Sequence, residues 1–411
     1  MKDIVALHQA EYDAPPDCVA HAPAIVKLLG EHTEGSDGIV LAAAISCEMR
    51  IAVSMRKDTS LRFYAADFGE RKRAASGSLK YKREDRWANH IKAVYEAFSS
   101  PGVASPIAVS SAVSSAGVSS AAVSSAAVSS AGFEGRGVNI TISGDIPLGL
   151  SLGASAAIGM ATALAFKSIL GLSLKNEELA EIVCKAEADF FEKPVPIYNY
   201  LAATAPGANT LSVIDMRNSK RRAVQFLDEN WTLVLTDSRV PRSSVEGELR
   251  ERYDQCRKCL SYLSPNGSRS MRDVKTVELD ELMGLLPESV RRRCLHVVEE
   301  IARVAEAEEA LAKRDDIAFG RIINKSHNSL RSLYEVSCPE IDWLVKRALE
   351  IDGVLCSRMT GKGFGGCTVS VMKTEAIVEY RKRLEDYERI FGFKAQVYET
   401  SINGGLRITG S

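Results

Sequence analysis

A glycine-rich segment near the carboxyl end of the chain is the clearest candidate for binding chemistry. The residues from Gly353 to Cys367 read GVLCSRMTGKGFGGC, and four glycines fall within six positions, Gly361 to Gly366. Each glycine inside a helix or strand would cost roughly 0.5–1 kcal/mol relative to alanine. Such a cluster therefore indicates a backbone that turns sharply or approaches a ligand closely.

A second small-residue segment, PLGLSLGASAA, runs from Pro147 to Ala157. It follows a predicted strand and opens a predicted helix. Free backbone N–H groups and the helix dipole favour a phosphate at such a position. The alternative is that Ser155 caps the helix and the small residues pack tightly. Taken alone, this segment is weak evidence for nucleotide binding.

A third segment, HAPAIVKLLGEHTEG, runs from His21 to Gly35 and places three polar side chains, Glu31, His32 and Glu34, at the end of a strand. One interpretation is a simple polar turn from Gly30 to Gly35. The other is a site whose acceptors and donors bind hydroxyl groups.

In their order along the chain, from the third segment described to the first, the three segments resemble the signatures of galactokinases, members of the GHMP family of small-molecule kinases. The third segment is similar to a family run of Ala-Pro-Gly-Arg-Val-Asn followed by Gly-Glu-His-Thr-Asp. The second resembles a proline, Gly-x-Gly-Leu and a short serine run, with Ser151, Gly153 and Ala154 as departures. Two further stretches, Trp87 to Val94 and Ser326 to Val345, extend the resemblance over most of the chain.

The resemblance implies transfer of phosphate from ATP, with Mg²⁺, to the anomeric hydroxyl of galactose or a related sugar. It assigns sugar binding to Glu31, His32, Glu34 and the tyrosine position, which is Leu249 here. It assigns the metal to Ser155 and Glu187. It assigns ATP binding to Pro147, Gly149, Ser151, Leu152, Gly153, Ala154, Ser155, Ala156, Gly361, Gly363 and Gly365.

Two positions depart from the family's catalytic pair. The aspartate that faces the sugar hydroxyl falls at Asn199, and the arginine that stabilises the transferring phosphoryl group falls at Ile25. An amide cannot accept the hydroxyl proton, and an alkyl chain cannot stabilise developing charge. Weak or absent galactokinase activity is therefore expected. The alternatives are a kinase for a different small alcohol and a non-catalytic sensor of sugar and nucleotide that has a protein partner.

The alternation of patterns predicts an α+β protein of two domains with the site in the cleft between them. We place the domains at residues 1–174 and 175–411, with the last 25 or so residues packing back on the first domain. Strands are predicted at 39–53, 61–68, 138–143 and 369–372, and helices at 87–98, 156–170, 176–192, 247–263, 290–313 and 374–391. The near-tandem VSSA units within an insertion at 103–132 are interpreted as a flexible surface loop.

Composition limits the other possible functions. The formal net charge of −1 gives no basic surface for nucleic acid. The chain carries no long apolar run for a membrane span, and its nine scattered cysteines suit a reducing cytoplasm. Cys256 and Cys259 form a lone CxxC on a predicted helix. The basic run from Arg291 to Cys294, next to Glu299 and Glu300, is interpreted as a solvated helix face. We expect a cytoplasmic monomer that binds small molecules.

Overall fold

A computed structural model describes residues 3–99, 133, 135–241, 245–282 and 284–409. The VSSA units and the rest of the insertion at 103–132 lie outside these residues. The interpretation of that segment as a surface loop therefore stays a prediction.

An eight-stranded sheet forms the centre of the first part of the molecule. Its strands run in the order β12-β1-β2-β5-β3-β4, and β6 pairs with β2 and with β7. Only β3 and β5 are parallel among these pairs. The strands are β1 Cys18–Leu29, β2 Ile39–Met55, β3 Ser60–Ala65, β4 Glu70–Ala75, β5 Val138–Gly144, β6 Thr210–Asp215, β7 Lys220–Gln225 and β12 Arg407–Ile408.

Among the described residues, five helices accompany this sheet: α1 Ile4–Tyr12, α2 Ala88–Ser99, α3 Ala154–Ile169, α4 Asn176–Phe191 and α5 Tyr198–Ala202. The central one, α3, is rich in alanine and is buried from Ala156 to Phe166. Small side chains allow α3 to pack closely on β1, all twelve residues of which are buried. This packing sets the amino-terminal end of α3 beside β1.

A four-stranded antiparallel sheet organises the second part, in the order β11-β8-β10-β9. Its strands are β8 Trp231–Asp237, β9 Val354–Thr360, β10 Cys367–Lys373 and β11 Gln396–Thr400. The helices are α6 Glu246–Leu263, α7 Thr276–Glu281, α8 Glu288–Ala312, α9 Asp316–Ser329, α10 Pro339–Leu349 and α11 Thr374–Phe391, with a π-helical turn at Leu330–Tyr334. The glycine-rich segment joins β9 to β10 as a hairpin turn.

The predicted two-domain α+β architecture is confirmed, and the predicted helices lie within two residues of α2, α3, α4, α6, α8 and α11. The strand predicted at 61–68 is wrong at its end, because the chain turns after Ala65 and returns as β4. Strands β6 and β7 come after residue 174 in the sequence, yet they hydrogen-bond within the first sheet. The domain boundary placed at 174 stays a prediction. The short β12 pairs with β1.

No helix in the described part of the chain is long and apolar enough to cross a membrane.

Candidate functional site

The turn after β1 is tied to the second half of the molecule. The Gly30 N–H donates to Glu300 Oε1 on α8 at 2.9 Å. The next residue, Glu31, is 2% exposed, and its Oε1 accepts the Gly361 N–H at 2.8 Å. The Arg358 guanidinium lies 3.5 Å from the same oxygen. Glu31, assigned to the sugar by resemblance, therefore also joins the turn after β1 to the glycine-rich turn.

His32 lies in a stack of rings next to this turn. Its ring stacks on Tyr334 with centroids 4.5 Å apart, and His296 tilts against the same tyrosine at 4.8 Å. Desolvation lowers the pKa of His32 to about 3 and that of His296 to about 4, so both imidazoles are neutral at physiological pH. The His32 Nε2 is buried and has no hydrogen-bond partner. A ligand hydroxyl would satisfy it.

Glu34 is held by a lysine that the sequence analysis did not single out. Lys27 Nζ contacts Glu34 Oε1 and lies 3.2 Å from Glu31 Oε2. The same ammonium lies 4.2 Å from the centre of the Tyr198 ring. Burial opposes the charge of Lys27, but the two carboxylates outweigh that cost and raise its pKa above the ordinary value.

The predicted phosphate loop lies directly against β1 and the glycine-rich turn. The Ile25 N–H donates to the Leu152 carbonyl at 2.9 Å. An added Cβ on Gly361, whose φ is +84°, would lie 2.7 Å from Ser151 Cβ. The helix α3 is capped by Gly153 with φ +69° and without a side-chain hydrogen bond, so the alternative of Ser155 as the cap is wrong. All three sequence segments therefore meet in one place.

Ile25 and Asn199 face each other across this loop. A Cβ added to Gly153 would lie 3.3 Å from Asn199 Oδ1 and 3.5 Å from Ile25 Cβ. Ile25 is 2% exposed in β1, and Asn199 is half-buried in α5. The two substituted positions thus border the glycine that begins α3.

Glu187 on α4 has one paired and one unpaired carboxylate oxygen. Its Oε2 is 2.8 Å from His90 Nδ1 and accepts from the Tyr200 hydroxyl at 3.0 Å. Its Oε1 is buried, has no hydrogen-bond partner, and points at Gly159, four residues after Ser155 on α3. An orphaned carboxylate oxygen suits a hard cation, and Mg²⁺ commonly binds through one or two protein groups plus substrate phosphates. Glu187 therefore fits the metal that the resemblance implies, and Ser155 lies one helical turn before Gly159 on α3.

Leu249 occupies the position at which the resemblance places a sugar-covering tyrosine. Leu249 on α6 packs against the hydrophobic cluster that α6 shares with α8. One turn later, Tyr253 lies so close to Gly35 that a Cβ there would clash with its ring. An aromatic cover beside Glu34 is thus available from Tyr253, which the (i, i+4) spacing on a helix could have indicated.

The interpretation of the basic run as a solvated face is wrong at its centre. Arg293 is 5% exposed and donates to Leu333 O and Glu335, and Cys294 is fully buried. Glu300, placed beside it, is fully buried as well and accepts from Gly30 and Ser326. This side of α8 therefore packs against the rest of the molecule rather than facing water.

Three family models match the sequence. They are the galactokinase galactose-binding signature over residues 6–55, the GHMP kinases N terminal domain over residues 123–207 and the GHMP kinases C terminal domain over residues 307–384. The predicted insertion extends into the second match.

Curated relatives match over nearly the whole chain. Galactokinase of Roseiflexus sp. is 32% identical, and that of Homo sapiens is 31% identical, each across 97% of this chain and 94% of the relative. The crystal structure of Lactococcus lactis galactokinase complexed with galactose superposes with a TM-score of 0.82 at 23% identity, covering 98% of both chains. The chain belongs to the galactokinase family of GHMP kinases.

Proposed function

We propose that this protein binds magnesium–ATP and a hexose in the cleft between its two sheets, and that it phosphorylates the anomeric hydroxyl of galactose only slowly. The observation that carries the proposal is the pairing of Ile25 with Asn199 across Gly153. By the family resemblance, position 25 belongs to an arginine that stabilises charge and position 199 to an aspartate that accepts a proton, and this chain has neither group there.

The size of the expected loss follows from the two missing groups. A positioned general base contributes typically about 10²–10⁴-fold to a rate. A preorganised donor to developing charge contributes about 10²–10³-fold. Positioning carries much of phosphoryl transfer, so residual turnover is expected. The losses need not be additive.

Several contacts support retained binding. The Glu187 Oε1 atom is unpaired, Gly361 lies against Ser151, and His32 offers an unpaired Nε2. A bound magnesium ion would neutralise charge on the phosphates. The residues of this chain would orient the nucleotide through the amino-terminal end of α3 and the glycine-rich turn. Within this proposal the protein acts as a cytoplasmic monomer.

Thermal unfolding with magnesium and ATP tests the binding half of the proposal. We expect saturating magnesium–ATP to raise the melting temperature, and we expect Glu187→Gln to lose the magnesium-dependent part of the shift. Lys185→Gln, which alters an exposed ion pair with Asp189 on the same helix, serves as the control. No shift in the wild type at millimolar nucleotide would contradict the proposal.

A panel of sugars and small alcohols then tests the choice of acceptor. ADP release with another alcohol at an ordinary rate, on the order of 10 s⁻¹, would favour a kinase with a different substrate. Nucleotide-dependent capture of a purified protein partner without turnover would favour the sensor.

A further inference from the structure

We propose that Lys27 is a specificity-determining residue that weakens the binding of neutral sugars by occupying the hydroxyl-binding end of the cleft. The inference rests on the proposed function, since it concerns the same cleft. In the family run Ala-Pro-Gly-Arg-Val-Asn, the asparagine falls at position 27, where this chain has lysine.

The position of Lys27 on β1 directs its side chain into the site. Between Ile25 and Lys27 the pairing with β2 is regular, with Ile25 opposite Ala44 and Lys27 opposite Ala42. Side chains two residues apart on a strand share one face and lie about 6.6 Å apart along it. Lys27 therefore lies on the same face as Ile25, one step closer to the turn that carries Glu31 and Glu34.

The ammonium is already fully engaged there. Its side chain is 4% exposed, and the nitrogen contacts Glu34 and lies 3.2 Å from Glu31 while facing the Tyr198 ring. A lysine ammonium has three donors. Two are directed to the carboxylates that the resemblance assigns to sugar hydroxyls, and the third side of the group is covered by the ring.

Lys27 does not take over the role of the missing arginine. The atoms nearest to the Gly153 position belong to Asn199 and Ile25. The two charged partners of the ammonium are instead Glu31 and Glu34, the carboxylates that the resemblance assigns to the sugar. Its effect is therefore on what binds rather than on the charge of the transferring group.

A neutral sugar must compete with this lysine. A hydroxyl that donates to Glu34 Oε1 or Glu31 Oε2 must share that oxygen with a charged donor or displace the donor. Hydrogen bonds to charged groups are worth more than neutral ones, so the competition costs at least about tenfold in affinity. The same pair also fixes Glu34, whose side chain is 29% exposed, in an orientation set by the protein.

The test is calorimetric titration of galactose into the full-length wild type and the variants Lys27→Asn and Lys27→Gln, each with saturating magnesium–ATP analogue. We expect both neutral variants to bind galactose at least about tenfold more tightly than the wild type. The glutamine variant keeps much of the side-chain length, so it preserves the test if the asparagine variant unfolds. Lys313→Asn is the matched control, because it breaks an exposed lysine–glutamate pair with Glu309 on α8 and should leave galactose affinity unchanged.

Galactose affinity that stays the same or falls in cooperatively folded variants would overturn this inference. Nucleotide affinity, measured in the same samples, separates the two proposals. If no variant binds magnesium–ATP, the proposed function fails. If all bind it and galactose affinity does not rise, only the role of Lys27 fails.

Discussion

Comparing Gly361→Ala with a control substitution, Gly392→Ala, should separate the cost of backbone strain from the effect of a disturbed contact within the site. Gly361 has φ +84°, and alanine in the left-handed region costs about 1–2 kcal/mol. A Cβ there would also lie 2.7 Å from Ser151 Cβ. Carbon atoms in contact normally stay about 3.5–4.0 Å apart. The glycine-rich turn and the phosphate loop must therefore move apart by about 1 Å.

Gly392 provides the matched control. It ends α11 with φ +75°, and a Cβ added to it meets no atom within 4 Å. Gly392→Ala therefore carries the backbone cost alone, about 1–2 kcal/mol. Gly361→Ala carries that cost, the clash with Ser151, and a disturbed hydrogen bond from its N–H to Glu31.

Calorimetric titration with magnesium–ATP and thermal unfolding together decide the outcome. We expect both alanine variants to lose stability, with Gly361→Ala losing more. We expect Gly361→Ala alone to bind nucleotide at least about tenfold more weakly, because small displacements in a site have large effects. Equal nucleotide affinity in the two variants would refute the reasoning that this contact positions the nucleotide.

Three further predictions concern the same cleft. The double variant Ile25→Arg with Asn199→Asp should gain galactose-dependent ADP release beyond the sum of the single variants, because each new charge otherwise lacks a partner in the site. Burial lowers the pKa of His296 to about 4 in the folded protein. Its contribution to the free energy of unfolding is therefore complete above pH 6.5 and is lost as the pH falls towards 4, because the unfolded state takes up the proton first. Urea unfolding of His296→Gln should therefore show a shallower loss of stability across that window than the wild type, and an unchanged slope would contradict this. Tyr253→Ala should weaken galactose binding more than Leu249→Ala, measured by titration, if Tyr253 is the aromatic cover beside Gly35.

Local patterns in the sequence were sufficient for most of the fold, and the three segments that the resemblance assigns to the site lie together in the structure. The alanine-rich run after the phosphate loop predicted α3, and the segment after Lys373 predicted α11 with the observed bounds. The glycines predicted a turn, and the turn lies against Ser151 and Glu31. These features depend on neighbours in sequence, so the sequence carries them directly.

The partners of the site residues depend on tertiary packing and were harder to predict. Glu300 was noted only as a neighbour of the basic run on α8, yet it accepts the Gly30 N–H across 270 positions of sequence. Arg358 is a charged residue inside a strand that is fully buried against Glu31 and Glu300. Lys27 could have been noticed as a departure from the family's asparagine. Its pairing with Glu34 required the geometry of the turn after β1.

The turnover of the wild-type protein with galactose tests the central claim most directly. The measurement is ADP release at saturating magnesium–ATP and galactose, with magnesium–ATP binding confirmed in the same preparation. With an amide at 199 and an alkyl chain at 25, we expect a rate at least about 10²-fold below the ordinary 10 s⁻¹. Turnover on the order of 10 s⁻¹ would contradict the account, because it would mean that other residues supply the chemistry assigned to those two positions.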